Sequence, residues 1–348
     1  MTPLLQRGNN MALVASAQAL GLDIGTSRLV IARKAGDEIQ YDSQLNAFVA
    51  IPHTKMTENV LRSEHIPHTI LNGEIIVQGN ESEKFAGLLN VEIRRPMTRG
   101  ILDPSEHSSL QVIRELLANL LGFRDPFRER KVTFSVPAPP LGAEESLTFH
   151  EKTIKQILND LGYEGKAINE GLAVIYGELE DTNYTGIGIS CGGGLCNVCL
   201  SYLSVPVLSF SVPKAGDFID LNASKISGEK ANFIRLAKEE NFHLNGYFKD
   251  RVHQVIGVYY DDMIQTLVKS LKEAFERAGS LPRFNRPIPI ILSGGTAMPH
   301  GFRERFEQML GERDFPFRVS EVRVAQNPLH STAKGALACA LSDEEEVR

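Results

Sequence analysis

Several features that would narrow the function at once are scarce in this sequence of 348 residues. Basic residues do not dominate, because 37 Lys and Arg stand against 43 Asp and Glu, a formal net charge of −6. A chain-wide basic field of the kind that binds nucleic acid or anionic lipid is therefore missing. No apolar run in the sequence approaches the roughly 18–20 residues that a membrane-spanning helix needs. We expect no direct binding to nucleic acid.

Cysteine is also scarce, and the four residues present do not make a disulfide framework. Three of them cluster at Cys191, Cys196 and Cys199, which raises the question of a metal site. The surrounding residues alternate like a strand, so that side chains three positions apart point to opposite faces. Cys196 and Cys199 then cannot hold one ion. We predict reduced, buried thiols in a cytoplasmic protein.

What is present is the balance of a globular protein, with 42% hydrophobic and 23% charged residues, 29 Gly and 17 Pro. Such a composition excludes disorder and collagen, and the length suffices for two lobes that each bury a core. We predict a disordered leader over 1–17 and a first lobe over 18–165 with a small insert at about 42–100. A second lobe follows over 166–328 with a helical insert at about 218–285, then a C-terminal helix over 329–341 that returns to the first lobe, and an acidic tail over 342–348.

Three local patterns predict individual elements. Asn72-Gly73, between two short apolar runs, predicts a hairpin in the first insert. A helix is predicted from about Glu144 to Leu161. A long stripe of apolar residues predicts another from Arg251 to Ala278.

The main organising feature is a duplication. Residues 20–27 (LGLDIGTS) and residues 187–194 (IGISCGGG) share one design, a strand that ends in a glycine turn. Each is followed by two more short strands and then by helices, which predicts two antiparallel meanders. Two similar lobes that face each other form a cleft, and ligands usually bind in such clefts.

The two glycine turns have a chemistry of their own. A turn built from Gly and small hydroxyl residues exposes backbone N–H groups that can wrap a phosphate. Two equivalent turns at the starts of two lobes can clamp one polyphosphate, and together they carry more weight than either turn alone. Asp23, just before the first turn, either holds a hydrated divalent cation beside the phosphates or only accepts hydrogen bonds from its own turn. Both interpretations stay open.

A third glycine site lies at residues 292–298 (LSGGTAM), after a buried strand and before a helix. A Gly-Gly surface without side chains suits the face of a purine or its ribose at this edge of a sheet. The alternative is a tight strand-to-helix connection that needs glycine only for its positive φ.

These three sites, in this order, resemble those of the superfamily of actins, heat-shock chaperones and sugar kinases, and the bacterial actins of the MreB and MamK kind fit best. The resemblance covers about residues 18–341 and implies an α/β, actin-like (ribonuclease H-like) duplicated two-lobe fold with a central nucleotide cleft and small inserted subdomains. Residues 95–103 (RPMTRGILD) resemble the stretch before the first inter-lobe helix, and residues 169–173 (NEGLA) resemble the second connection.

The resemblance also implies ATP and Mg²⁺ as ligands. Residues 214–220 fit the family pattern, and residues 228–230 resemble the segment that meets adenine and ribose. Asp23 is expected to hold Mg²⁺ through water. The residues expected at the nucleotide are Asp23, Gly25, Thr26, Ser27, Gly192, Gly193, Gly194, Gly216, Asp217, Glu229, Lys230, Gly294, Gly295, Thr296 and Met298.

Departures from the family pattern affect the expected chemistry. The second motif normally begins with Asp and ends in Thr, whereas this sequence has Ser190 and then Leu195 or Cys196 there. The contacts that the Asp and the Thr make in the family are therefore missing. We expect slow ATP hydrolysis or none, because phosphoryl transfer depends on charge neutralisation and positioning. Glu170 is the best remaining candidate for the magnesium–water shell.

Similar proteins place a Glu that polarises the attacking water on the helix after Pro137. That position falls on His150, with Glu151 beside it. Either side chain can orient water, and the alternative is that both face solvent on an amphipathic helix.

Three functions follow from the resemblance. The first is a bacterial actin-like cytoskeletal protein that binds ATP and assembles head-to-tail with itself. The second is a non-polymerising nucleotide-binding adaptor of the pilus or division-protein type, and the third is a small-molecule kinase, for which no substrate-pocket Asp is evident. A cytoplasmic location is expected, and an association with the inner membrane face or with an adaptor protein is left open.

Overall fold

The computed structural model describes residues 19–122, 130–142, 147–279, 281–312 and 314–345. The predicted leader over 1–17 and the predicted start of a helix at Glu144 lie outside these residues. Within them, no helix combines the length and the apolar character needed to cross a bilayer.

The first half of the chain contains β1 (Leu20–Ile24), β2 (Arg28–Ala35), β3 (Glu38–Leu45), β4 (Phe48–Pro52), α1 (Lys55–Ser63), β5 (His68–Leu71), β6 (Glu74–Gln78), α2 (Asn80–Leu89), β7 (Met97–Thr98), β8 (Ile101–Leu102), α3 (Ser109–Leu121), β9 (Arg130–Val136), α4 (Thr148–Asp160), β10 (Tyr163–Asn169) and α5 (Glu170–Glu178). The second half contains β11 (Gly186–Cys191), β12 (Cys196–Tyr202), β13 (Val205–Val212), α6 (Gly216–Ser227), α7 (Ala231–Asn241), α8 (Arg251–Arg277), β14 (Ile288–Ser293), α9 (Phe302–Gly311), β15 (Val319–Val324) and α10 (Ser331–Glu345).

The predicted duplication is confirmed by the order of the strands. One five-stranded sheet has the order β10-β9-β1-β2-β3, and the other has the equivalent order β15-β14-β11-β12-β13. In each sheet the meander is antiparallel and the two remaining strands run parallel to its first strand or to each other. The fold is therefore the mixed α/β, two-lobe fold that the sequence predicted.

The insert in the first lobe forms a small sheet of its own, in the order β4-β6-β5. The hairpin between β5 and β6 turns at Asn72 and Gly73, whose φ angles are +51° and +81°. Two consecutive left-handed residues are the geometry in which Asn-Gly is favoured, so the hairpin predicted from this dipeptide is confirmed.

Two helices join the lobes. Helix α5 packs on the second sheet, where Val174 and Ile175 share a buried cluster with Ile291 of β14. Helix α10 packs on the first sheet, where Ala333 and Leu337 share a buried cluster with Val30 and Ala32 of β2 and where α10 also contacts β1. The two helices cross in close contact, so the spacing between them sets the spacing between the lobes.

The last helix is longer than predicted. We expected it to end at Leu341 before an acidic tail, but α10 continues to Glu345. Lys166 of β10 binds the carboxylate of Asp343 at 2.7 Å, which gives this part of the helix a contact with the first sheet. The predicted boundary between the lobes, at 165/166, falls inside β10 and stays a prediction.

The cysteines of the second meander lie as the strand alternation predicted. Cys191 and Cys196 are buried in the core of the second lobe. Cys199 packs on the opposite face, in the cluster that contains α5. The opposite-face prediction for Cys196 and Cys199 is therefore confirmed.

Candidate functional site

A cavity of about 410 Å³ opens between the lobes and is lined by residues of both. The structure brings most of the predicted site residues to its walls. These are Asp23, Gly25, Thr26, Ser27, Glu170, Gly192, Gly193, Gly194, Gly216, Asp217, Gly294, Gly295, Thr296 and Met298. The other four predicted residues, His150, Glu151, Glu229 and Lys230, are not among those that line it.

The two glycine turns have the same build. In the first, Gly25 N–H donates to the carbonyl of Arg28 at 3.0 Å, and in the second, Gly192 N–H donates to the carbonyl of Leu195 at 2.9 Å. Each turn therefore closes its hairpin with one main-chain hydrogen bond. We refer to residues 25–28 as the first turn and residues 192–195 as the second turn.

The two turns touch each other across the cleft. A Cβ atom on Gly193 would lie 2.2 Å from Ser27 Oγ, and one on Gly194 would lie 2.6 Å from Thr26 Oγ1 and 3.0 Å from Arg99 Cα. Since real Cβ atoms do not approach other atoms so closely, glycine at both positions allows this contact between the turns. The predicted facing arrangement of the turns is present in the structure.

The carbonyl groups of the second turn are already in use. Gly192 C=O accepts hydrogen bonds from Gly216 N–H at 3.1 Å and from Thr296 Oγ1 at 2.8 Å. Gly193 C=O accepts one from Asp217 N–H at 2.8 Å. The turn is thus held in place by α6 and by the third glycine site.

The main-chain N–H groups of the two turns, unlike these carbonyl groups, are largely without protein partners among the described residues. In the described part of the chain, the N–H groups of Thr26, Ser27, Gly193 and Gly194 donate to no protein acceptor. Main-chain donors that line a cavity and lack a protein partner are available for a ligand or for water. Four such donors on two facing turns form a natural binding site for an anion.

Two carboxylates meet at the floor of the cleft. Asp23 Oδ1 accepts a hydrogen bond from Ser135 Oγ at 2.8 Å, so that its partner is a strand of the same sheet and not its own turn. Glu170, the first residue of α5, accepts one from Asn197 Nδ2 at 2.9 Å. Burial raises the pKa of Asp23 to about 6, and burial together with the charge of Asp23 raises the pKa of Glu170 to about 8. Both carboxyl groups therefore keep their protons to a higher pH than a carboxyl group in water does.

These shifts predict how stability depends on pH. Because both pKa values lie above the ordinary carboxyl pKa values of 3.8 for Asp and 4.5 for Glu, the native state binds more protons than the unfolded chain between about pH 4 and pH 8. The contribution of these groups to the free energy of unfolding is present at the acid end of this window and is lost as the pH rises through the folded pKa values. For one proton the slope is at most about 1.4 kcal/mol per pH unit.

We expect Glu170→Gln to flatten this dependence. Urea unfolding of the ligand-free protein at pH 5.5, 7.0 and 8.5 should show a smaller loss of stability toward high pH in the variant than in the wild type. Parallel pH profiles for the two proteins would show that Glu170 ionises normally.

The end of the cleft beside α6 and α7 holds a buried ion pair and aromatic rings. Lys238 Nζ of α7 lies 2.7 Å from Asp220 Oδ1 of α6, and the lysine also donates to Gly216 C=O at 3.2 Å. Burial raises the pKa of Asp220, against the opposing effect of the Lys238 charge. At the rim, the rings of His243 and His300 stack with their centroids 5.4 Å apart. This end combines flat surfaces with polar groups.

Polar contacts join the lobes across the cleft mouth. Arg95 of the first lobe binds Asp217 at 2.7 Å. Farther out, Arg235 of α7 forms an ion pair with Glu83 of α2. Lys230 lies there too and donates to Asn90 at 3.0 Å. Its position explains why Lys230 does not line the cavity, since its ammonium group holds the lobes together at the surface.

The two predicted water-polarising residues lie on α4. His150 is buried, and its Nδ1 accepts a hydrogen bond from Leu102 N–H at 3.2 Å. Burial lowers the pKa of His150 to about 4, so the ring is neutral with its proton on Nε2, which has no partner in the described part of the chain. Glu151 is exposed. The solvent-facing alternative therefore applies to Glu151 and is wrong for His150.

Several residues of the cleft were missed from sequence. They are Arg28, Ser135, Asn197, Asp220, Arg235, Lys238, Phe242, His243, Tyr260 and His300. A helical spacing could have found some of them, because Asp220 follows Asp217 by three positions on α6 and Lys238 follows Arg235 by three on α7. No sequence signal marks Ser135 or Asn197, because their hydrogen-bond partners Asp23 and Glu170 are distant in the sequence.

Comparison with solved structures shows the fold. A MamK double helical filament is 18% identical, covers 93% of this chain and 98% of its own, and superposes with a TM-score of 0.72. MreB5 of Spiroplasma citri bound to ADP is 14% identical, with 95% and 98% coverage and a TM-score of 0.70. The ethanolamine utilization protein EutJ from Carboxydothermus hydrogenoformans is 17% identical, with 92% and 90% coverage and a TM-score of 0.53. The fold is thus actin-like, as the resemblance implied.

No curated protein matches the sequence. A family model does match, however, and it covers both lobes, both glycine turns and most of the last helix. Because the Volactin model aligns with residues 18–340, this chain belongs to the Volactin family.

Proposed function

We propose that this chain is a bacterial cytoskeletal protein that binds ATP and Mg²⁺ in the inter-lobe cleft and polymerises into filaments. The observation that carries the nucleotide part is the set of four free N–H groups on the facing turns. The likeness to a MamK filament and to an ADP-bound MreB5 supports both parts. ATP, Mg²⁺ and self-association are proposals for this chain.

In this proposal the turns bind the phosphates. The N–H groups of Thr26, Ser27, Gly193 and Gly194 donate charge-assisted hydrogen bonds, which are stronger than neutral ones. These hydrogen bonds come from the main chain and do not depend on the side chains at these positions. The departures from the family pattern at Ser190 and Leu195 therefore leave the four hydrogen bonds intact. The purine end of the nucleotide then lies toward Gly294 and Gly295.

The acidic floor of the cleft suits Mg²⁺. Carboxylate oxygens and water are the ligands that Mg²⁺ prefers, and the mutual repulsion of Asp23 and Glu170 is relieved by a cation. A bound Mg²⁺ would neutralise phosphate charge. Asp23 and Glu170 would hold it through water, with Ser135 and Asn197 fixing the two carboxylates.

We propose that hydrolysis is slow. Ser190 carries no charge where related proteins have Asp, and Leu195 offers no hydroxyl at the end of the second turn. Each lost contact of this kind costs about 10²–10³ in rate. His150 and Glu151 are not needed for this proposal, since neither lines the cleft.

Assembly would be head-to-tail, because contacts between two different surfaces that do not close a ring produce filaments. Nucleotide binding favours lobe closure, and closure changes the surfaces that meet in such a contact. We propose a cytoplasmic location. A membrane surface or an adaptor protein is left open as a further partner.

Sedimentation with and without ATP and Mg²⁺, followed by negative-stain electron microscopy, tests this function. We expect filaments that pellet in the presence of the nucleotide, together with slow phosphate release. Gly87→Ala, a substitution into open space, is the matched control and should behave as the wild type. A protein that binds ATP but stays monomeric at every concentration would favour the adaptor function, and fast phosphate transfer to a small molecule would favour a kinase.

A further inference from the structure

The hinge side of the cleft and its mouth are held together by different kinds of contact. On the hinge side, α5 and α10 approach so closely that a Cβ on Gly177 would lie 2.7 Å from the carbonyl oxygen of Ser331. At the mouth, an ion pair and a hydrogen bond join α2 of the insert to the α7 region of the second lobe. In the described part of the chain, no buried apolar cluster contains side chains of both α2 and α7. The mouth is therefore the side on which the lobes separate more easily.

The ion pair at the mouth is built around a guanidinium group that its own helix already holds. The Arg235 side chain is 12% exposed. Its Nη1 donates to Glu239 Oε2 at 3.1 Å and its Nε donates to Asn232 Oδ1 at 3.2 Å, and both partners belong to α7. Its Nη2 donates to Glu83 Oε1 across the mouth. Because Arg235 is already oriented, pairing with Glu83 costs less side-chain freedom than pairing between two free surface residues.

The two helices lie side by side along the mouth. Asn90, which follows the last residue of α2, accepts a hydrogen bond from Lys230, which precedes α7. Arg235 is among the residues that line the cavity, whereas Glu83 is not. A ligand that leaves the cavity between α2 and α7 can do so only after the ion pair between Glu83 and Arg235 has broken.

We propose that the Arg235–Glu83 ion pair is a latch that holds the mouth of the cleft closed and sets the rate of nucleotide exchange. This inference rests on the proposed nucleotide function. It adds that the insert of the first lobe regulates the site through a side chain, Glu83, that does not line the cavity. Salt should weaken the latch, because its charges are partly exposed and the Debye length falls from about 10 Å at 0.1 M salt to about 3 Å at 1 M.

Glu83→Gln tests the latch, and Glu81→Gln is its matched control. Both substitutions remove one negative charge from α2, but Glu81 pairs with Lys84 of its own helix at 2.8 Å. Release of a fluorescent ATP analogue is measured by stopped flow with Mg²⁺, at about 0.05 M and about 1 M NaCl. We expect Glu83→Gln to release the analogue about threefold faster than the wild type at low salt, the size typical of a partly exposed ion pair. At high salt the two proteins should release it at the same rate, and Glu81→Gln should match the wild type at both concentrations.

A second readout works without nucleotide. Spin labels on Gly87→Cys of α2 and Lys225→Cys of α6 report the distance across the mouth by pulsed electron paramagnetic resonance. A side chain at Gly87 enters open space and Lys225 is exposed, and Cys339→Ser removes the half-buried native thiol. At low salt, adding Glu83→Gln should lengthen and broaden the distance distribution, whereas adding Glu81→Gln should leave it unchanged.

The two readouts separate a failure of the latch from a failure of the proposed function. If the wild type binds no ATP, the proposed function fails, while the distance across the mouth still judges the latch. If Glu83→Gln gives the same release rate and the same distance distribution as Glu81→Gln, the inference is overturned.

Discussion

Replacing Gly335 by alanine should destabilise the protein by about 3 kcal/mol or more, near the upper end of overpacking substitutions. An ideal Cβ on Gly335 would lie 1.7 Å from the carbonyl oxygen of Ala173 and 2.9 Å from the nitrogen of Gly177. Both are backbone atoms of α5, which no rotamer change can move. Helices α5 and α10 must therefore separate, and the melting temperature should fall by at least about 5 °C for a chain of this size.

The effect should extend to the cleft, since α5 begins with Glu170 and α10 packs on β1, which carries Asp23. Gly87→Ala is the control, because a Cβ there meets nothing within 4 Å in helix α2. Alanine in the middle of a helix is favoured over glycine by about 0.5–1 kcal/mol, so this variant should be unchanged or slightly more stable. Equal melting temperatures for both variants would mean that the two helices are not packed this closely.

Valine at Gly194 should lower the affinity for ATP at least about a hundredfold, a loss of about 2.7 kcal/mol, in a protein that still folds. A Cβ at this position would lie 2.6 Å from Thr26 Oγ1 and 3.0 Å from the backbone of Arg99. The second turn then has to move away from the first, and the four free amides no longer converge on one phosphate group.

This loss is distinguished from misfolding by circular dichroism of the ligand-free variant, whose spectrum should match that of the wild type even though displacing the turn lowers its melting temperature. Gly87→Ala again provides the control for the purification and the binding assay. Retained affinity in Gly194→Val would show that the phosphates do not lie between the turns.

The sequence predicted the parts of the fold that depend on local patterns. Two strand-and-glycine segments of the same design predicted the paired meanders, and Asn72-Gly73 predicted its hairpin through the left-handed φ that both residues adopt. The long stripe of apolar residues predicted α8 almost to the residue. Helix ends were less well predicted, as with α10, because the contact of Asp343 with Lys166 is not local.

The residues of the candidate site also fall into those that local sequence patterns predicted and those that depend on the tertiary structure. The glycine turns could be found from sequence because their chemistry lies in consecutive residues. Asn197 and the pair of Lys238 and Asp220 could not, because their partners come from other elements. The segment at Glu229 and Lys230 resembled a nucleotide contact, yet the residues that line the cavity lie farther along α7. The lining residues of α7 thus lie about two helical turns beyond the predicted pair, and only the tertiary structure shows this displacement.

Hydrogen exchange of the main-chain amides, followed by mass spectrometry, tests most directly whether the facing turns bind a nucleotide. With ATP and Mg²⁺, peptides that contain Thr26 and Ser27 and peptides that contain Gly193 and Gly194 should both exchange more slowly, while α1 and the outer strands of the insert stay unchanged. Exchange at both turns that remains the same at millimolar ATP would contradict the account.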